Sequence, residues 1–173
     1  ASGTWVDWLG ADGMEGLVSP TNHLNLWGTS QNGSIYRSTN GGNSYNGLPK
    51  PSPGQWVTPL AIHPTNETIL YGGWTGVYKS TNSGLAWTNI SAGVITVTLA
   101  DLAVAPSNPN YIYASTGSTL YVTTNDGATW TTRVAPSTIN DIAVDPTDPN
   151  KIWIACNSTS NRIMVSTDAG ATF

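Results

Sequence analysis

The sequence is poor in charged side chains and in cysteine. Only 9% of its residues are Asp, Glu, Lys or Arg, whereas about 25% is usual for a soluble protein. Helix surfaces favour Lys, Glu, Gln and Ala, so this composition argues against a helical protein. Cys156 is the one cysteine, which excludes an internal disulfide and a metal site built from several cysteines. We therefore expect no metal and no cofactor, and we expect Cys156 to lie buried in a strand.

Two further absences limit the partners. No apolar run approaches the ~20 residues of a membrane span, so no span is expected. The net charge is −4, and the six Lys and Arg residues are scattered along the chain. Because nucleic-acid binding needs a basic patch that neutralises phosphates, the sequence argues against such a partner. The scarcity of lysine resembles that of secreted bacterial proteins, which predicts a secreted or cell-surface location.

The sequence contains four copies of one repeat. Eight-residue segments that align with one another start 42, 43 and 43 residues apart, at Ser38, Ser80, Thr123 and Ser166. A short apolar pattern keeps step with them and ends at Pro20, Pro64, Pro106 and Pro146. An aromatic residue follows seven positions after each of these prolines, at Trp27, Tyr71, Tyr113 and Trp153. Two landmarks that stay in phase over four copies establish the repeat.

Each copy has the pattern of four short strands. In the third copy, β-branched and aromatic residues group at 100–105, 111–115, 119–123 and 129–134, with turn residues between them. Four strands in 40–45 residues are typical of a propeller blade. The sequence therefore predicts an all-β fold of about four blades, each of four antiparallel strands. It forms a single segment, 1–173, with repeats at about 6–45, 46–87, 88–130 and 131–173.

We call the eight-residue segment the box turn. The residue types at three of its positions have a physical explanation. Its third residue carries an oxygen that can accept backbone N–H groups of the turn. Its fifth is glycine, as a turn with positive φ requires, and its eighth is aromatic and is expected to pin the hairpin onto the blade. The structural residues predicted for the four box turns are Ser38, Asn40, Gly42 and Tyr45; Ser80, Asn82, Gly84 and Trp87; Thr123, Asn125, Gly127 and Trp130; and Ser166, Asp168, Gly170 and Phe173.

The box turn resembles the Asp-box, or BNR, pattern Ser-x-Asp-x-Gly-x-Thr-Trp. Three copies carry Asn instead of Asp, which keeps the acceptor oxygen but argues against cation binding. Over its whole length the chain resembles the sortilin-like and xyloglucanase-like propellers of secreted proteins, and sialidases and a photosystem assembly factor share the box. The resemblance implies more than four blades. We expect the remaining blades from a longer chain, or alternatively from a second copy. Residues 3–5 resemble the end of a fifth box turn, with an outer strand following at Val6 and Trp8.

Residues that recur at a fixed position are assigned to the blade, so candidates for binding are sought among residues that break the pattern. Trp74 lies between glycines in residues 72–76 and is expected to be exposed on a hairpin loop. Trp56 follows the Pro-Ser-Pro-Gly loop 51–54. The apolar face of an exposed indole matches a pyranose ring, so both tryptophans are candidate sugar-binding residues.

Acidic residues are the second set of candidates. Glu15, Asp101 and Asp141 open the innermost strand of their repeats, which lines the channel of a propeller, and Asp12 has no counterpart elsewhere. Asp12, Asp101 and Asp141 are candidate ligand-binding residues, although the recurrence of the last two also suits a structural role. Asp12 and Glu15 are the candidate catalytic pair, because glycosidases need two carboxyl groups roughly 5–10 Å apart. The alternative for that pair is a solvated turn.

No convincing catalytic set is visible in the sequence. It contains no phosphate loop and no nucleophile elbow. The arginines are Arg37, Arg133 and Arg162, and two of them lie near box turns, so a sialidase arginine triad is not expected. The leading hypothesis is a non-catalytic propeller segment that binds a glycan or a protein. A glycoside hydrolase of the xyloglucanase-like class and a sortilin-like propeller with a peptide in its channel are the alternatives.

Overall fold

Four small antiparallel sheets follow one another along the chain. The structure, a computed structural model, describes residues 7–160 and 162–173. The first sheet contains β1 (Gly16–Val18), β2 (Leu26–Ser30), β3 (Ser34–Ser38) and β4 (Asn46–Leu48). The second contains β5 (Leu60–Ile62), β6 (Leu70–Trp74), β7 (Gly76–Ser80) and β8 (Thr88–Asn89). The third contains β9 (Asp101–Val104), β10 (Ile112–Thr116), β11 (Thr119–Thr123) and β12 (Thr131–Val134). The fourth contains β13 (Ile139–Val144), β14 (Ile152–Cys156) and β15 (Ile163–Ser166).

The predicted all-β fold of antiparallel propeller blades is confirmed. Apart from one 3-10 turn at Gln31–Gly33, the described residues contain no helix, and hence none long and apolar enough to cross a membrane. The fourth sheet differs from the prediction because it has three strands, and the outer edge of β15 has no partner strand in the described part of the chain. The end of a fifth box turn predicted at residues 3–5, and Val6, lie outside the described residues.

The first strands of the four sheets stand side by side. β1 contacts β5, β5 contacts β9, and β9 contacts β13, in the order of the chain. Each sheet therefore turns its first strand to the same side, which forms the inner wall of a propeller. The sheets formed by residues 7–160 and 162–173 do not close into a ring, and the chain is a partial propeller.

Apolar side chains fill the gaps between neighbouring sheets. The core between the first and second sheets is built from Trp27, Ile35, Leu60, Leu70 and Trp74. The next two cores are centred on Tyr71, Leu99 and Ile112, and on Tyr113, Leu120 and Ile152. Each sheet thus buries its apolar side chains against its neighbours, as repeat proteins do. Cys156 is buried in β14 within the third core, as predicted.

Each box turn is closed by the side chains of its first and third residues. The hydroxyl of the first residue accepts the glycine N–H at 2.8–3.0 Å in all four copies. The Oδ1 atom of the third residue accepts the N–H of the seventh at 2.8–3.0 Å, whether that third residue is Asn or Asp. The four glycines have φ between 79° and 90°, a conformation that disfavours residues with a Cβ atom.

The aromatic residues that end the box turns differ in their surroundings. Trp87, Trp130 and Phe173 pack into the core between their own sheet and the preceding one. Trp130 also donates its indole N–H to the carbonyl of Ile90 at 2.8 Å. Tyr45 of the first sheet is exposed and meets Trp8 and Tyr36 edge to face. The box aromatic is therefore an interface residue in the second, third and fourth sheets.

Candidate functional site

The connections between sheets lie at one end of the blades. They run from the outer strand of one sheet to the inner strand of the next, at residues 49–59, 90–100 and 135–138. In an antiparallel sheet the turn between the second and third strands falls at this same end. We call this end the loop face. The box turns lie at the opposite end of the blades.

Three acidic residues lie near one another at the loop-face end of the inner strands. Glu15 directly precedes β1, Asp101 is the first residue of β9, and Asp141 lies in β13. The charge of Asp141 acts on the carboxyl groups of Asp101 and Glu15, and the charge of Glu15 also acts on Asp101. We call these residues the acidic trio. Within the described residues, no group of three or more His, Cys, Asp or Glu side chains is arranged to hold a metal ion.

Burial and nearby negative charge favour the protonated forms of Asp101 and Glu15. Burial, helped by the charges of Asp141 and Glu15, raises the pKa of Asp101 to about 6, although hydrogen bonds from the backbone N–H groups of Leu102 and Ile142 act in the opposite direction. Burial, followed by the charge of Asp141, also raises the pKa of Glu15. A carboxyl group that titrates near pH 6 can either release or accept a proton at a moderately acid pH.

Asp12 lies in the loop that precedes Glu15. Its Oδ2 atom accepts the side-chain N–H of Gln31 at 2.6 Å, which ties this loop to the turn between β2 and β3. The nearby charge that raises the pKa of Glu15 belongs to Asp141. The structure thus brings Glu15 together with the other inner-strand acids, and the catalytic pairing of Asp12 with Glu15 stays a prediction.

The exposure predicted for Trp74 is wrong. Its side chain is 0% exposed, and its indole N–H donates to the carbonyl of Gly33 at 3.0 Å. The ring packs edge-on against Trp87 with centroids 4.8 Å apart. A Cβ atom on Gly72, two residues earlier on the same side of β6, would lie 2.1 Å from the ring. The glycines around Trp74 therefore make room for a core residue and do not display it on a flexible loop.

Trp56 lies exposed on the loop face. Its side chain is 57% exposed, and its carbonyl accepts the N–H of Asn32 at 3.3 Å. Gln55 donates to the Thr98 hydroxyl at 2.9 Å, so the connection 49–59 meets the connection 90–100. The two connections together expose four large apolar side chains, called the loop platform below: Trp56, Val57, Val94 and Val97.

The valines of the loop platform were not among the predicted site residues. A signal was present in the lengths of the connections, because residues 90–100 form a much longer segment than residues 135–138 at the same position of the repeat. Long connections in a compact repeat often carry function.

Solved structures with a similar fold were found over almost the whole chain. An ancestral GH74 enzyme matches with a TM-score of 0.74 and 20% identity, over 99% of this chain and 25% of the enzyme. The GH74 xyloglucanase from Xanthomonas campestris matches with a TM-score of 0.59 and 17% identity, over 94% of this chain and 39% of the enzyme. YCF48 bound to a D1 peptide matches with a TM-score of 0.61 and 12% identity, over 87% of this chain and 49% of YCF48.

These likenesses concern the fold, and this chain spans between a quarter and a half of the proteins it resembles. It is therefore part of a propeller that needs further blades. No curated protein matches the sequence. The sequence model of Sortilin-Vps10, described as sortilin and neurotensin receptor 3, matches residues 75–173, which is more than half of the chain. By that match the chain belongs to the Sortilin-Vps10 family.

Proposed function

We propose that these blades belong to a secreted or cell-surface propeller that binds a glycan on its loop face, with Trp56 as the stacking residue. The observation that carries the proposal is the exposed indole of Trp56 among the apolar side chains of the loop platform. Sugar rings present C–H groups that pack on such a surface, while polar groups at the edge bind the hydroxyls. Gln55, Thr98 and Asn32 supply polar groups beside Trp56.

Binding of β-glucan oligosaccharides to the whole protein that carries these blades tests the proposal. Calorimetric titration of the wild type should give a measurable Kd, and Trp56→Ala should weaken it roughly 3- to 10-fold, as expected for a lost aromatic contact. Leu85→Ala is the matched control, because Leu85 is an equally exposed apolar residue on a box turn at the opposite end of the blades. An affinity that Trp56→Ala leaves unchanged would remove Trp56 from the proposal.

A glycoside hydrolase of the xyloglucanase-like class is the second candidate. Two of the similar structures are described as GH74 enzymes, and Asp101 has a pKa of about 6, which suits a general acid or base. Reducing ends released from xyloglucan would contradict the non-catalytic proposal. Activity that Asp101→Asn and Glu15→Gln abolish while oligosaccharide binding persists would assign the chemistry to the acidic trio.

A peptide-binding propeller of the sortilin kind is the third candidate. YCF48 was solved with a peptide bound, and the acidic trio provides negative charge at the inner wall that favours a basic segment. Affinity for lysine-rich peptides that falls with added salt and with Asp141→Asn would support this candidate. Equal affinity for acidic and basic peptides would contradict it.

A further inference from the structure

A cleft lies where the box turn of the second sheet meets the box turn of the third. Its volume is about 350 Å³, which is at the lower end of the ~300–1,000 Å³ range of ligand pockets. The box turns lie at the end of the blades opposite the loop face, so this cleft is separate from the loop platform. We call it the box cleft, and its lining includes Lys79, Asn82, Ala86, Thr88, Ile90 and Asp126.

Ala86 breaks the repeat at the seventh position of its box turn. The other three box turns have a hydroxyl there, from Ser44, Thr129 and Thr172. In the first and third box turns that hydroxyl accepts the side-chain N–H of the asparagine at the third position, at 2.8–2.9 Å. In the fourth it donates to the Asp168 carboxylate at 2.7 Å. Alanine has no hydroxyl, so the second box turn lacks this bond.

The side-chain amide of Asn82 is therefore left with free donors. Its Oδ1 atom is engaged as in the other box turns, because it accepts the N–H of Ala86 and the Ser80 hydroxyl. Within residues 7–160 and 162–173, no group accepts a hydrogen bond from its Nδ2 atom. Asn82 lines the box cleft, so these two N–H donors are available to a ligand there.

Asp126 breaks the repeat at the fourth position of the next box turn. Gly41, Ser83 and Ala169 hold that position in the other box turns. All four residues have φ between 55° and 70°, so the conformation of the turn does not require a carboxylate. The two residues that depart from the repeat, Ala86 and Asp126, face the same cleft.

The carboxylate of Asp126 is held in a fixed orientation. Its Oδ1 atom accepts the Tyr71 hydroxyl at 3.2 Å, and its Oδ2 atom accepts from the Lys79 ammonium. The side chain is nevertheless 33% exposed. Because each carboxylate oxygen accepts more than one hydrogen bond, Asp126 can still accept from a ligand in the cleft.

The chemistry of the box cleft suits an uncharged ligand. Lys79 and Asp126 form an ion pair, so their charges offset each other and favour neither an anion nor a cation. Asn82 donates, Asp126 accepts, and the Thr88 hydroxyl can do both. Ile90 adds an apolar wall. A sugar ring matches this set, because it carries neighbouring hydroxyl groups that donate and accept beside apolar C–H groups.

We propose that the box cleft binds one uncharged sugar unit, with Asn82 donating to one of its hydroxyl groups and Asp126 accepting from a neighbouring one. This second carbohydrate site goes beyond the proposed function of the loop face. It rests on the pattern breaks at Ala86 and Asp126, and it does not require Trp56 to bind a glycan.

Saturation-transfer NMR with methyl glycosides of glucose, galactose, mannose and N-acetylglucosamine tests the proposal. The whole protein is used with Trp56→Ala, so that the loop platform does not contribute. We expect saturation transfer to at least one glycoside. Adding Ala86→Thr restores the hydroxyl found in the third box turn, which engages the Asn82 amide and narrows the cleft. It should lower the signal at least ~5-fold, as expected for the loss of a hydrogen bond and of space.

Thr129→Ala is the matched control. It frees the corresponding amide of Asn125, but Ala169 stands at the fourth position of the following box turn and supplies no carboxylate. The signal should therefore stay unchanged in this variant. If Ala86→Thr does not fold, Ala86→Ser replaces it, because Ser44 holds this position in the first box turn.

Three results would overturn the proposal. The first is the absence of saturation transfer to all four glycosides, and the second is a signal that Ala86→Thr and Asp126→Asn leave unchanged. The third is binding of inorganic phosphate without binding of any glycoside, which would indicate an anion site at Lys79. None of these results bears on the loop face, whose test uses β-glucan oligosaccharides and compares Trp56→Ala with the wild type.

Discussion

Asp101 and Ile142 join two neighbouring sheets at the inner wall of the propeller. The Asp101 carboxylate on β9 accepts the backbone N–H of Ile142 on β13 at 2.6 Å. The two strands belong to different sheets and share no ladder of backbone hydrogen bonds. A recurring acidic residue therefore has a structural task at this position, in addition to any part it takes in binding.

Removing the acceptor at Asp101 should weaken the junction between the third and fourth sheets. Asp101→Ala leaves the N–H of Ile142 without its partner, which costs about 1–3 kcal/mol when the group is buried. Asp101→Asn keeps an oxygen acceptor and removes the charge, so at pH 8 it should be at least as stable as the wild type. Urea unfolding of the three proteins measures the difference. Equal stability of the Ala and Asn variants would contradict the role assigned to this hydrogen bond.

The contribution of Asp101 to stability should depend on pH. Its pKa of about 6 in the folded protein exceeds the usual value of 3.8, so the folded state binds more protons than the unfolded state between about pH 4 and pH 6. Stability from this group is therefore fully present below about pH 4, falls as the pH rises to about 6, and is constant above it.

The pKa of His63 is lowered by burial and then by the charge of Lys79, so protonating it costs more in the folded protein. The contribution of His63 to stability therefore rises with pH, whereas that of Asp101 falls. The informative quantity is therefore the difference in unfolding free energy between wild type and Asp101→Asn, measured by urea from pH 3 to pH 8. As the pH rises from 4 to 6, the unfolding free energy of the wild type should fall by about 1–3 kcal/mol relative to that of Asp101→Asn. A difference that stays constant with pH would show that Asp101 titrates like a solvated carboxyl group.

Trp74 should matter for folding and not for ligand binding. Trp74→Ala removes a wholly buried ring from the core between the first two sheets, which should cost about 3–5 kcal/mol. Trp56→Ala, on the exposed loop platform, should cost less than about 1 kcal/mol. Chemical unfolding of both variants provides the comparison. A small effect of Trp74→Ala would mean that its ring is not the core residue described above.

The box turn should depend on an oxygen at its third position and not on a charge. Asn82 accepts the N–H of Ala86 at 2.8 Å and the Ser80 hydroxyl at 2.9 Å. Asn82→Ala should destabilise the protein by about 1 kcal/mol and speed the amide exchange of Ala86. Asn82→Asp keeps the acceptor and should stay within about 0.5 kcal/mol of the wild type. Faster exchange at Ala86 in the Asp variant as well would argue that the charge state matters.

The parts of the fold that could be predicted from sequence are those fixed by local interactions. In a box turn, the first and third side chains bond to residues four positions later, and the glycine takes a conformation that its own lack of a Cβ atom permits. These contacts recur wherever the same eight residues recur. The family resemblance to sortilin-like propellers, read from that repeat, is confirmed by the match to residues 75–173.

The parts that could not be predicted depend on neighbouring sheets. The burial of Trp74 requires the carbonyl of Gly33 in the first sheet and the space above Gly72, and neither is visible in the pattern of one repeat. The meeting of Asp101 with Ile142 follows an irregular register between Ile139 and Asp141 in β13. The loop platform arises because two connections far apart in sequence are joined by Gln55 and Thr98.

The fourth residue of the box turn contacts the preceding sheet in two of the sheets. Ser83 and Asp126 serve the aromatic residue of the sheet before their own, through the bonds from Trp27 and Tyr71. A substitution that distorts the box turn of the second or third sheet should therefore also loosen the packing of the aromatic residue in the preceding sheet.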